Sequence, residues 1–375
     1  MAIANYNNIV FKFITVALTT LLPVVSKAQS PFEGLENLFN TPESYVAKHV
    51  SKAPLIDGNL NDAAWQQVNW SNDFVDIEGD LKPKPPYQTN IKMLWDDNYL
   101  YVAARMTEPQ VWATLKKHDD IIYRDNDFEL FIDPSGTSHN YYEIEVNALN
   151  TVFDLYLNKP YRNGGGALIG WDATGLRSAV KIQGTLNNTS DMDQGWTVEM
   201  AIPFKSINMG FTSGTPKDGA IYRINFSRVE YDTKIQNNRN VKLKDTRGHD
   251  LPEHNWSWSP QGEINMHSPE HWGYLLFSKS NDADVAFTLP YAEQQKKYLW
   301  LIYYRQKQWY KAHQQYTASL ADLGIAKTYP IAGNDNHLTL EASKSQFKAF
   351  ISADSNGASF SINHEGFTEQ TKNTH

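Results

Sequence analysis

Four segments alternate, residue by residue, between an apolar and a polar side. From Asp127 to Ile132, Phe128, Leu130 and Ile132 fall on one side, and Asp127 and Glu129 on the other. From Tyr141 to Ala148, Tyr142, Ile144, Val146 and Ala148 oppose Tyr141, Glu143, Glu145 and Asn147. Tyr222, Ile224 and Phe226 oppose Arg223, Asn225 and Ser227, while Trp196, Val198 and Met200 oppose Thr197, Glu199 and Ala201. A period of two fits a strand, whose side chains point alternately to its two faces. It does not fit a helix, whose faces repeat every ~3.6 residues. Strands of this kind must bury their apolar sides against one another.

Turn signals divide residues 45–280 into about ten such strands with little helix, which predicts a mostly β chain built on an antiparallel β-sandwich. Asp96-Asp97-Asn98 reads as a hairpin turn and Gly164 to Gly166 as a flexible loop. Residues 29–44 read as a linker with a short helical turn. The pattern changes near residue 280. Tyr291 to Gly324 has no internal Gly or Pro and predicts a long helix or helix pair, with an aromatic-rich packing surface. Three short strand patterns follow, so residues 281–375 are expected to form a small α+β region of unassigned role.

Residues 1–28 read as a secretory signal peptide. Lys12 precedes the apolar run Phe13 to Val25, and Ser26-Lys27-Ala28 places small residues ahead of a cleavage expected before Gln29. The run contains Pro23 and is shorter than the ~20 residues of a spanning helix. Export to the periplasm, cell surface or extracellular medium is expected, with no membrane span after cleavage. The chain has no Cys, so it forms no disulfide and depends on its core. A net charge of −8, from 34 basic and 42 acidic residues, argues against nucleic-acid partners.

Adjacent strands would pool Asp127, Glu129, Glu143, Glu145, Asn147, Arg223 and Asn225 on one polar face. An ordinary solvated sheet face is the plain alternative. The face is poor in Lys and mixes acids, amides and one Arg, which suits hydrogen bonds to a polyhydroxylated ligand. Aromatic platforms for the flat C–H faces of such a ligand are available in loops at Tyr123 and Trp258. Trp65, Trp95 and Trp196 read as core.

Other chemistries remain open. Glu129 with Glu143 or Glu145 could form a glycosidase pair, about 5–5.5 Å apart for retention or 6.5–9.5 Å for inversion. No motif specific to hydrolysis accompanies them. Asp96-Asp97-Asn98 or Asp125-Asn126-Asp127 offers oxygens of the kind calcium takes, although Asp and Asn favour turns anyway. The eleven His contain one H-x-x-x-H spacing, His267 to His271, but no H-E-x-x-H motif, which argues against catalytic zinc. Met266 and His267 point to opposite faces of a strand and could not together hold a haem iron. No phosphate loop or nucleophile elbow is present.

Five stretches in order carry a family resemblance: "APLIDGNLNDAAW", "IKMLWDDNYLYVAARMTEP", "DNDFELFIDP", "GWTVEMAIPF" and "HWGYLLFS". Together they resemble the carbohydrate-binding module family 9-like domains, from Tyr45 to Ser278. The resemblance implies a β-sandwich that binds oligo- or polysaccharide, in well-known members at reducing ends, and that holds structural calcium. No cofactor is required. Glu129 matches the family's hydrogen-bonding Glu, and Tyr123 stands where a stacking Trp is usual. Glu145 stands where a ligand-binding Arg is usual, and Asn147 matches a further hydrogen-bonding position. The second clamp Trp aligns with Met266, which leaves Trp258 and His267 as substitutes. The expected site is therefore Tyr123, Glu129, Glu145, Asn147, Arg223 and Trp258. The expected role is glycan capture in polysaccharide breakdown, beside a separate glycoside hydrolase. Binding is expected rather than cleavage, with hydrolysis by the carboxylate pair as the alternative.

Overall fold

The alternating segments pair as strands. A computed structural model describes Met1 and residues 30–208, 214–280, 285–354 and 358–371; the signal peptide expected at residues 1–28 lies outside the described residues, Met1 apart. The Asp127–Asp133 strand pairs antiparallel with Tyr141–Asn147 on one edge and Ile221–Glu230 on the other. Val152–Leu157 and Ala167–Leu168 extend this half, and Gly273–Ser278 completes it. The other half contains Thr89–Trp95, Tyr99–Thr107, Gly195–Pro203 and Arg177–Gln183.

The apolar faces of the two halves meet in one core. Phe128, Leu130, Ile132, Ile144, Val146 and Phe226 pack there with Met93, Trp95, Val102, Val198 and Met200. Phe128, Leu130 and Ile132 are all fully buried, and each such side chain stabilises the fold by about 1.5–3 kcal/mol. The Asp96 carboxylate closes the expected hairpin, accepting from the Asn98 and Tyr99 amides at 2.7 and 2.8 Å.

The sandwich differs from a purely antiparallel one at its seam. Ser44–His49 runs parallel to both Gly273–Ser278 and Thr89–Trp95, joining the halves into one continuous sheet. No hairpin constrains a strand at the start of the domain, so its direction is free to be parallel.

After the sandwich, the helix Tyr291–His313 packs on a five-stranded antiparallel sheet. Two of these strands, Thr328–Ile331 and Thr368–Thr371, are only four residues long, too short for their alternation to stand out. The stretch expected to be a linker is anchored here. Leu35 is buried beside Leu299 and Ile302, and Arg305 donates to the Glu33 carbonyl at 2.6 Å.

A buried ion pair within the sandwich receives a hydrogen bond from this region. Arg162 grips Glu270 with bonds of 2.6 and 2.8 Å, and the Tyr304 hydroxyl donates to the same carboxylate. Burial pushes the Glu270 carboxyl up, but Arg162 outweighs it and holds the group below its usual range.

Candidate functional site

Strand register sets the acids in rows. Glu129 lies opposite Glu145 on one neighbouring strand and Ser227 on the other. One row along, Asp127 lies opposite Asn147 and Val229; in the other direction, Phe131 lies opposite Glu143 and Asn225. Oxygens of Asp127, Glu129 and Glu145 come within 4.8 Å of one another.

These acids are buried rather than solvated. Asp127, Glu129, Glu143 and Glu145 are 0 to 5% exposed. Among the described residues no Lys or Arg pairs with them, and the nearest basic nitrogen is His267 Nε2, 3.9 Å from Glu143. Burial also holds the His267 ring well below the usual imidazole range, at about 4, so it is neutral at neutral pH. Loss of water around the carboxyls pushes Glu129 up to about 7. Burial and mutual repulsion raise Asp127, Glu143 and Glu145 well above the ordinary carboxylate range. So many close, unpaired carboxyls cannot all ionise at neutral pH, and the cluster shares protons. The Glu145 carboxylate accepts from the Tyr123 amide at 2.9 Å, whereas Asp127 Oδ2 and Ser227 Oγ have no hydrogen-bond partner.

Aromatic and apolar groups enclose the row. Ile122, Phe131, Tyr141, Phe153, Met266 and Trp272 form one buried cluster there. Tyr123 and Tyr161 remain exposed, at 41% and 47%. The Tyr161 phenol is pushed up to about 12, first by partial burial and then by Glu143, Glu145 and Tyr123, so it stands within electrostatic reach of all three. Its ring meets His267 edge-on at 4.6 Å. A cleft of about 890 Å³ adjoins the row through Tyr231 and Glu253. Tyr231 donates to the Tyr123 carbonyl at 2.9 Å, and the Glu253 charge adds to the field at Glu129.

The structure brings Tyr123, Glu129 and Glu145 together, keeps Asn147 one row away, and separates Arg223 and Trp258 from them. Asn147 is spent on structure. Its amide donates to the Leu115 carbonyl and Asp125, while its oxygen accepts from the Leu149 and Thr151 amides. This uses its full hydrogen-bonding capacity and leaves nothing for a ligand. Arg223 lies four residues along its strand from Ser227, about 13 Å at the usual rise. It donates to the Pro269 and Glu270 carbonyls and lies 3.7 Å from Glu293 of the C-terminal helix. Trp258 is core, 2% exposed, with its ring 5.9 Å from Phe226. A Cβ at Gly273 would sit 2.4 Å from this indole, so the backbone closes over it. Asn225, expected on the same face, also bonds backbone only, at Phe226 and Ser259.

Of the loop residues considered for calcium, Asp127 keeps an unpartnered oxygen, whereas Asp97, Asp125 and Asn126 are bonded within the protein. Asp125 accepts from the Thr114 and Leu115 amides and the Thr114 hydroxyl, fixing the loop that leads to Tyr123. Asn126 bonds Glu108 and the Tyr231 amide, and Asp97 pairs with Lys279 and His49.

Tyr161 was not anticipated. Its signal is the run "KPYRNGGG", an aromatic held between Pro160 and a glycine turn. Gly164 adopts φ +77°, and a Cβ at Gly165 would lie 1.8 Å from the Lys159 carbonyl, so this turn requires glycine.

Known proteins resemble part of this chain. The chain is 29% identical over 164 residues to exoglucanase XynX of Acetivibrio thermocellus, covering 44% of this chain and 13% of that protein. It is 28% identical over 192 residues to endo-1,4-beta-xylanase A of Thermoanaerobacterium saccharolyticum, covering 51% of this chain and 13% of that protein. The chain thus spans only a small part of the curated relatives it matches. Among solved structures, a family 9 carbohydrate binding module of Caldicellulosiruptor kristjanssonii in complex with cellotriose aligns with a TM-score of 0.42 at 18% identity, over 66% of this chain and 100% of that one. Residues 56–278, more than half of the chain, match the carbohydrate family 9 binding domain-like family, and the chain belongs to it.

Proposed function

We propose that the chain is an exported protein that captures a poly- or oligosaccharide at the Glu129–Glu145 row, in the service of glycan breakdown by a separate hydrolase. The observation that carries this reading is the pairing of buried, proton-sharing carboxyls with two exposed tyrosines inside a domain of a carbohydrate-binding family. A sugar ring offers hydroxyls that both donate and accept, and a partly protonated acid cluster does the same. Its C–H faces stack on tyrosine rings. Tyr123 and Tyr161 supply those rings, and Tyr161 takes over from the clamp aromatic that Met266 replaces. The relatives named as exoglucanase and xylanase point to plant-type β-linked glycans as the first ligands to try.

The test is a pull-down on cellulose, xylan and their oligosaccharides, paired with a reducing-sugar release assay. Binding without release is expected, with most binding lost in Tyr123→Ala and in Glu129→Ala. Normal binding by both variants would place the site elsewhere, and sugar release abolished by Glu129→Ala would make the carboxylate pair catalytic.

A further inference from the structure

A second cluster of polar side chains lies outside the sugar-binding face. His118 Nε2 stands 3.0 Å from Asp172 Oδ1, 3.5 Å from Asp119 Oδ1 and 3.7 Å from Asp154 Oδ1. All four ligand atoms lie within 4.8 Å of one another. The residues come from three separate segments. His118 and Asp119 lie in a turn, Asp154 in the Val152–Leu157 strand, and Asp172 in the loop after Leu168.

Asp154 is the informative member. It is 2% exposed, yet its Oδ1 has no hydrogen-bond partner and faces His118. Its other oxygen accepts from the Ala173 amide at 2.5 Å, which locks the side chain in this orientation. Asp119 Oδ1 is also buried without a hydrogen bond. A buried carboxylate oxygen left unpaired is destabilising, and a bound cation would supply the missing partner. Among the described residues, no Lys or Arg forms an ion pair with any of the three acids. Their one basic neighbour is His118.

Geometry and donor type select the cation. Zinc binds His nitrogen and carboxylate oxygen at about 2.0–2.2 Å, so tetrahedral ligands stand roughly 3.3–3.5 Å apart. The three distances from His118 fall around that value. One imidazole with three carboxylates suits a first-row divalent metal, whereas calcium seeks six to eight oxygens. We infer that His118, Asp119, Asp154 and Asp172 form a zinc-type cation site that ties the 118–119 turn and the Asp172 loop to the sheet. His118 and Asp172 are more than half exposed at their side chains, so an ion can enter from solvent. The turn lies just before Tyr123 in sequence, and the bound ion would brace the segment that carries that ring.

The test titrates zinc into the metal-stripped full chain by calorimetry, with and without excess calcium, and follows thermal unfolding. One zinc per chain is expected, with a rise in Tm and no displacement by calcium. His118→Ala and Asp172→Asn change exposed side chains and should keep the fold, yet weaken zinc by at least about tenfold. Asp154→Asn should do the same. Failure to bind zinc, binding unchanged in the His118 and Asp172 variants, or equal binding of calcium would overturn the proposal.

Discussion

Glu129 and Glu145 face each other across two antiparallel strands, both buried and neither paired with a Lys or Arg among the described residues. Sheets usually avoid placing like charges directly opposite each other, because the pair repels. Here the repulsion is relieved by protonation, since burial lifts Glu129 to about 7 and Glu145 well above its usual range. The pair costs stability and leaves hydrogen-bonding capacity unused, a trade that the proposed binding role would explain.

That cost has a defined pH window. Glu129 rises from 4.5 to about 7 on folding, so between these values the folded chain holds a proton that the unfolded chain has released. The stability associated with this group is full below about pH 4.5 and drains as pH rises to about 7. Glu129→Gln should therefore raise Tm relative to the native chain at neutral pH, with a smaller gain near pH 4.5. Thermal melts of both proteins across this range would check it; a variant less stable at neutral pH would contradict it.

The two exposed tyrosines should act together. If a sugar ring contacts both, Tyr123→Ala and Tyr161→Ala should each weaken glycan binding by about tenfold, near the upper end of the ~0.5–1.5 kcal/mol per aromatic contact. Titration calorimetry on the single and double variants would show whether the losses couple. Additive losses would mean that the rings touch different parts of the ligand.

Much of this arrangement was legible in the sequence. Alternation put Glu129 and Glu145 on one face, and the short connection between their strands made them neighbours. Parity also held a clue about Trp258, which shares its face with the core residue Trp256 rather than with a polar partner. The fate of Arg223 was not legible, because it depends on where the C-terminal helix docks, and strand alternation says nothing about that contact. Asn147 shows the same limit. Its position in the row was correct, but its bonds go to the loop at Leu115, far away in sequence.

Asn147 therefore offers a stability test distinct from the binding tests. Asn147→Ala would strand the Leu149 and Thr151 amides, both bonded to that side chain, while the Leu115 carbonyl would keep the Thr151 hydroxyl. Each buried group left unpaired costs about 1–3 kcal/mol, so a total loss of roughly 2–5 kcal/mol is expected after partial relaxation. Urea unfolding would measure it. A variant of native stability that had lost glycan binding would instead restore Asn147 as a ligand contact.

The contact that Tyr304 of the C-terminal helix makes with the sandwich should loosen when the sandwich's buried Arg162–Glu270 pair is broken. Arg162 is the partner that keeps Glu270 ionised, and the Glu270 side chain is only 2% exposed. Arg162→Ala would leave that charge buried with only the Tyr304 hydroxyl and the His271 ring beside it, a loss of about 3–5 kcal/mol for a broken buried pair. The sandwich has its own core, separate from the cluster that joins the helix to the five-stranded sheet. Limited proteolysis should therefore release the residues after 280 from the Arg162→Ala protein while the sandwich stays intact. Replacing both partners, Arg162→Met with Glu270→Gln, removes the stranded charge and should recover most of the protection. Equal protease resistance in the native and Arg162→Ala chains would show that other contacts, such as Lys159 with Glu365 and Tyr303 with Asn163, hold the two parts together.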